Sequence, residues 1–522
     1  MKKAYELFNQ GKYQEALDCY DNILEKDPEY PEAWFQKSFV LGELGKHKES
    51  LEANDKLLEL VPNFFGAEVQ KCHILLNLGR YHDALECSKK TMKSFDRLLK
   101  EDSEFTGAFD KVREKDPKRA GVLDNILKKD SKINDMVSNR GKIPGRLEIY
   151  HEMIELYDMI LEHEPKDVDA WYIKGLILEK LGKYEEALKA YDNALEMDPK
   201  HVKTWQGKGY VLIELGKYQD ALDCYNMVLE SDFQNVNAWY RKGFILGELG
   251  KYQEAIECYD NALGIDPNYV IAWFNKGYTL KKLGKHQDAI KSYDKTLELD
   301  PKDDAAWFFK GDALKNLGRY QEALECFDKV LKIDPKHVDA WYNKGNTLEA
   351  LARYYDAIKS YNMALKLDPT YSNVWVNKGI VFKDLGKYHE EIKCYDNALE
   401  VDSGNIYAWY NKGNAFGKLH KYSEAIESFD KVLEINSNND EAWYLKGFSL
   451  EELGRHEEAV ECYDKALQID PNKAEAWYLK GFSLEEIGRH EEALESYNKA
   501  LEIDPDHENA KIAKEKILSS ES

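Results

Sequence analysis

The sequence predicts an all-α solenoid, a stack of helix pairs and not a set of globular domains, and three observations carry that expectation. Tryptophan keeps a ruler: Trp171, Trp205, Trp239, Trp273, Trp307, Trp341, Trp375, Trp409, Trp443 and Trp477 stand 34 residues apart without a slip. Trp34 lies 137 residues before Trp171, which is four periods plus one residue. Each period holds two runs of helical spacing divided by turn residues. Copies are close to identical, since EAWYLKGFSLEELGRHEEAVECYDKAL at 441–467 returns at 475–501 with four of 27 positions changed. A fixed period of this size is the mark of repeat architectures.

The elements follow from one unit, 168–201. Trp171, Lys174, Gly175 and Leu178 recur at helical spacing, and Leu181-Gly182-Lys183 ends that run. A second run, YEEALKAYDNALEM at 184–197, stops at Asp198-Pro199. Glycine after a helix accepts the left-handed conformation, and proline cannot continue one. Each unit therefore reads as an antiparallel helix pair, which cannot bury both faces alone and must stack on its neighbours.

The middle of the first helix carries Gly175, Gly209, Gly243, Gly277, Gly311, Gly345, Gly379, Gly413, Gly447 and Gly481. Glycine there costs about 1 kcal/mol relative to alanine, so its repetition implies a close helix approach. Ala187, Ala221, Ala255, Ala289, Ala323, Ala357, Ala425, Ala459 and Ala493 offer a small site on the second helix. The tryptophans read as core, with truncation to alanine expected to cost about 3–5 kcal/mol. Seven of the eight cysteines (Cys19, Cys87, Cys224, Cys258, Cys326, Cys394, Cys462) share one place in the repeat. Without a C-x-x-C pair they read as small half-buried residues copied by duplication.

Counted from both ends, the 522 residues make about fifteen units: N-terminal units over 1–99, degenerate ones over 100–167, ten regular ones over 168–507 and a polar closing helix over 508–522. Residues 89–148 carry 16 Lys/Arg against 11 Asp/Glu in a chain of net charge −23. That stretch reads as a docking segment, a hinge or a decayed pair of repeats.

Composition narrows the function. At 43% hydrophobic and 32% charged residues the chain is too apolar for disorder. The acidic balance argues against nucleic acid or an anionic membrane as partner. No apolar run could span a bilayer, and MKKAYELFNQGKYQEALD has no signal-peptide core, so a cytoplasmic protein is expected. GxxxxGK[ST], HExxH and GxSxG are absent. Acidic pairs such as Glu185-Glu186 and Glu491-Glu492 recur on the second helix as a solvated face. No enzyme activity, metal or cofactor is expected.

The pattern W-x-x-K-G-x-x-L, then L-G-K-Y-x-E-A, then Y-x-x-A-L-x-x-D-P resembles the tetratricopeptide repeat (TPR) over essentially the whole chain. The lysine column, Lys174 to Lys480, departs from the leucine usual in that family and reads as a stem on the apolar face with its head in water. The resemblance implies a right-handed superhelix whose concave groove, lined by first helices, binds protein or peptide partners.

At 100° per residue, positions two before, two after and five after each tryptophan point away from the packed face. Two after stand Asn275, Asn343, Asn377 and Asn411; five after stand Asn346 and Asn414; Tyr342 and Tyr410 flank them. Asparagine offers a donor and an acceptor together, matching a peptide main chain. The set resembles the asparagine ladder of some TPR superhelices; duplication of a soluble residue is the alternative. Units over 338–439 also break the chain's habits, with Ala352 and His420 for turn glycines and Glu391 for the packed alanine. Asp339, Asn373 and Tyr407 bring no paired cations, which argues against a carboxylate clamp.

A non-catalytic scaffold holding extended or helical segments is the expectation. An accessory, substrate-presenting subunit of a modifying enzyme such as a glycosyltransferase is the other reading, and self-association through an apolar N-terminal edge remains open.

Overall fold

A computed structural model describes residues 1–62, 64–84, 86–91 and 146–520. The degenerate unit near 100–133 and most of the basic stretch 89–148 lie outside the described residues. The described residues are helical throughout, with turns between helices and no strand. They form two compact units, Met1–Ile265 and Asp266–Ser522.

From Val168 onward, first helices of 13 residues alternate with second helices of 14, as in Val168–Lys180 and Tyr184–Met197. Sequence chemistry sets each boundary. After the first helix, Gly182 takes φ +70° and Lys183 N–H donates to Leu178 O at 2.9 Å, a Schellman-type closure. After the second, Asp198 Oδ1 accepts from Lys200 N–H at 3.0 Å, so the Asp-Pro pair closes the turn with a side chain. The next first helix is capped from its side chain where the sequence allows: Asp167, Asn235, Asp303, Asn405 and Asn439 each accept a backbone N–H three residues on.

The core aromatic of each pair is a tyrosine or phenylalanine of the second helix. Tyr191, Tyr225, Tyr259, Tyr293, Tyr361, Tyr395, Tyr463 and Tyr497, with Phe327 and Phe429, are the largest fully buried side chains from residue 168 onward. Their rings explain the mid-helix glycines. A Cβ on Gly175 would stand 2.4 Å from Tyr191 Cε1, and one on Gly345 2.4 Å from Tyr361 Cε1. The glycine is thus the socket for the ring, with the small alanine of the second helix contributing only at its edge, as where Ala255 O would lie 3.1 Å from a Cβ on Gly243.

The tryptophans do a different job from the one the sequence suggests. Trp239 is buried, and the other nine of the ruler are half-buried. Each donates its indole N–H to the carbonyl six residues earlier: Trp171 to Pro165 O at 2.9 Å, Trp341 to Pro335 O at 3.0 Å, Trp409 to Ser403 O at 2.9 Å. They staple the turn between repeats. Because the acceptor is backbone, Phe233, Ser403 and Ser437 can stand where proline is usual.

Most lysine heads of this column find an aspartate. Lys174 pairs with Asp158, Lys344 Nζ lies 2.5 Å from Asp328 Oδ1, Lys412 2.7 Å from Asp396, and Lys446 2.6 Å from Asp430. Each reaches 16 residues back, to the second helix of the preceding repeat, while passing over its own tryptophan, 5.3 Å from the ring centre for Lys344 and Trp341. Where aspartate stands 16 residues back, this lysine joins neighbouring repeats with an ion pair; Asn226 and Asn362 stand there for Lys242 and Lys378.

Candidate functional site

All eight of the predicted groove residues lie in the unit Asp266–Ser522, on first helices. The structure sorts them into two kinds.

Asn346, Asn377 and Tyr342 belong to one internal network that joins the helix Val338–Ala350 to Ser372–Asp384. Asn377 Nδ2 donates to Tyr342 OH at 3.0 Å and to Asn346 Oδ1 at 2.9 Å. Tyr361 OH lies 2.8 Å from both Asn346 Oδ1 and Glu349 Oε2. Tyr371 donates to Asp339 Oδ1 at 3.1 Å, and its ring centre is 5.2 Å from that of Tyr342. Burial raises the Glu349 carboxyl above the usual carboxylate range.

Asn275, Asn343 and Asn411 are held differently. Each donates one N–H to the carbonyl four residues back on its own helix, Ile271, Asp339 and Tyr407, at 2.8–2.9 Å. That bond fixes the amide and leaves a second N–H on each, with the Oδ1 of Asn275 and Asn411 also unengaged among the described residues. Asn343 Oδ1 accepts from Lys315 Nζ at 2.7 Å, and Lys315 is itself 3.1 Å from Asp312, which also binds Lys281 at 2.5 Å. These cations hold the Asp312 carboxyl below its ordinary range, against its burial, which pushes the other way. Asn414 lies one turn from Tyr410 on the helix Ile406–Lys418, and burial pushes the Tyr410 hydroxyl up. Tyr407, read only as a non-cationic position, is the most exposed large hydrophobic side chain described, at 72%. Its place two residues before Trp409 already put it on this face, and its hydrophobic size was the signal.

The buried tyrosine hydroxyls find a shared partner in four of the regular repeats, whereas Tyr225, Tyr259 and Tyr293 stand opposite Ile213, Gly247 and Lys281. Where the first helix ends in a glutamate eight residues after tryptophan, the tyrosine uses it: Tyr191 with Glu179, Tyr361 with Glu349, Tyr463 with Glu451, Tyr497 with Glu485, all at 2.8–3.0 Å. Two repeats with Lys315 and Gly417 at that place carry Phe327 and Phe429 on the second helix, though Gly247 and Lys281 go with Tyr259 and Tyr293. Repeat 372–405 has Lys383 at that place, and Glu391 supplies the acceptor instead, its Oε1 3.1 Å from Tyr395 OH.

Among the described residues no group of three or more His, Cys, Asp or Glu is placed to hold a metal ion. No helix there is long and apolar enough to cross a membrane.

Comparison with known proteins agrees with this architecture. Family models for the tetratricopeptide repeat match residues 1–63, 168–201, 190–223, 236–269, 274–336, 310–372, 372–405, 406–439 and 438–506. No curated protein matches the chain. Among solved structures, YrrB, described as a TPR protein with an unusual peptide-binding site, is 28% identical over 37% of this chain and 99% of its own, at a TM-score of 0.35. MamA from Desulfovibrio magneticus is 20% identical over 33% of this chain and 96% of its own, at 0.31. The C-terminal part of a TPR repeat-containing protein from Cytophaga hutchinsonii is 18% identical over 46% and 98%, at 0.42. With its period, its paired helices and matches along most of its length, the chain belongs to the tetratricopeptide repeat family.

Proposed function

We propose that this protein is a non-catalytic interaction scaffold that holds an extended segment of a partner protein along the first-helix face of residues 270–418. Tetratricopeptide repeats are protein-interaction modules, and this chain has their architecture. The observation that carries the finer reading is the set Asn275, Asn343 and Asn411, each pinned by one bond to its own helix with a donor left over. A peptide group presents one N–H and one C=O, so a fixed amide can meet both. Tyr407 and Tyr410 supply aromatic surface beside Asn411. Asn377, Asn346 and Tyr342 set the spacing between two repeats and contribute by holding that face still.

The test compares wild type with Asn275→Ala/Asn343→Ala/Asn411→Ala in capture of proteins from a lysate of the native host, each read by mass spectrometry. Circular dichroism checks that the variant keeps its helices. Proteins retained by wild type and lost by the variant support the reading; identical sets overturn it.

A further inference from the structure

Seven cysteines share one column; the eighth, Cys72, stands in the column that holds the socket glycine in the ten regular repeats. Cys72 precedes Cys87 by 15 residues, the same interval that separates Gly209 from Cys224 and Gly311 from Cys326. In those two repeats a Cβ on the glycine would stand 3.2 and 3.1 Å from the cysteine Cβ. The repeat that begins with the helix Phe65–Asn77 puts a real Cβ and a thiol at this place of closest approach. Disulfides need Cβ atoms about 3.5–4.5 Å apart, so the register itself brings two cysteines to bonding range.

The thiols confirm the juxtaposition. Cys72 Sγ donates to Glu68 O at 3.2 Å, and Cys87 Sγ reaches the same oxygen at 3.5 Å. Thr91 Oγ1 lies 3.7 Å from Cys72 Sγ, and Cys87 packs against the buried cluster that contains Cys72. Cys72 is fully buried and Cys87 half-buried, so a small oxidant meets Cys87 first. The adjacent Cys72 thiol and the nearby Lys71 charge lower the Cys87 thiol's pKa, which favours the nucleophilic thiolate. No other column cysteine has such a neighbour: fifteen residues before Cys19 stands Ala4, and before Cys258, Cys394 and Cys462 stand Gly243, Gly379 and Gly447.

We propose that Cys72 and Cys87 form a peroxide-responsive dithiol site that closes to a disulfide across the two helices of this repeat. The Cys87 thiolate attacks one oxygen of hydrogen peroxide; the O–O bond breaks, and the leaving hydroxide takes a proton to become water. Cys87 is then a sulfenic acid. Cys72 sulfur displaces its hydroxyl, which leaves as water with the Cys72 proton. Two electrons and two thiol hydrogens pass to one peroxide, giving two waters and one disulfide.

The experiment treats the folded full-length chain with hydrogen peroxide, blocks remaining thiols, and maps peptides without reduction. Free thiols fall by two from eight, a Cys72–Cys87 cross-linked peptide appears, and dithiothreitol reverses both. In Cys72→Ser, dimedone traps a sulfenic acid on Cys87. The proposal is overturned if Cys72 stays open to alkylation after denaturation, if the cross-link joins another pair, or if wild type accumulates the dimedone adduct on Cys87. The wild-type map decides the matter even if a variant folds poorly.

Discussion

Glu391 offers a sharp test of how the repeat core is built. It occupies the column that holds alanine in the other nine regular repeats and is 1% exposed. Its Oε1 accepts from Tyr395, and its Oε2 has no hydrogen-bond partner among the described residues. Burial pushes the carboxyl up to about 7 from an ordinary 4.5. The folded protein keeps a proton that the unfolded chain releases between those values. Stability therefore falls as pH rises from about 4.5 through about 7 and is level beyond either end. The gap corresponds to about 3 kcal/mol at pH 8 and under about 1 kcal/mol at pH 5. Glu391→Ala removes that penalty but strips Tyr395 of its acceptor, at about 1 kcal/mol. The substitution should then stabilise the repeat by about 2 kcal/mol at pH 8 and leave it nearly unchanged at pH 5. Hydrogen exchange of the amides in Tyr388–Val401 reads this locally, which suits an array whose repeats can open separately. Equal gains at both pH values, or a loss at pH 8, would refute the reasoning.

Other expectations follow from the same contacts. Gly345→Ala drives a Cβ into the Tyr361 ring and should cost about 1–3 kcal/mol in urea unfolding, whereas Gly417→Ala, with nothing within 4 Å, should gain up to about 1 kcal/mol. Ala352 holds φ +54° where the other turns, except at His420, use glycine, so Ala352→Gly should raise stability by about 1 kcal/mol. Lys344→Met keeps the apolar stem over Trp341 but removes the charge bound to Asp328; a loss within about 1 kcal/mol that shrinks with salt is expected for this partly exposed pair.

Much of the fold was legible because repetition removes ambiguity. A glycine at 182 followed by lysine, and an aspartate-proline pair at 198, announce two turns in one unit; eight of the ten regular repeats keep the glycine and seven keep Asp-Pro. What escaped was which side chain fills the core. Tryptophan is the larger residue and kept perfect time, yet its N–H must reach a turn carbonyl, and that draws it to the surface. The smaller Tyr361 and its equivalents go inside, because glycine one helix away opens a socket that no tryptophan-centred view would notice. The lysine column misled for a related reason: its partner lies 16 residues back on a different repeat, beyond any single-helix periodicity.

The candidate site was legible in position and less so in bonding. Helical spacing put Asn275, Asn343, Asn377 and Asn411 on one face, but spacing says nothing about who bonds whom. Asn377 spends its amide on Tyr342 and Asn346, because those two residues project from the preceding first helix at the same level. Glu391 was noticed as a broken habit; its bond to the Tyr395 hydroxyl, in a repeat with Lys383 where four others have glutamate, needed three dimensions.

The central claim is that fixed asparagine amides grip a partner's main chain. Its most direct test is calorimetric titration of an unstructured segment, taken from a protein captured by wild type, into wild type and into Asn275→Ala/Asn343→Ala/Asn411→Ala. Three hydrogen bonds of about 1 kcal/mol each predict affinity reduced about 100-fold, with a similar loss when the segment's backbone amides are N-methylated. Affinity unchanged by both the triple substitution and N-methylation would contradict the account.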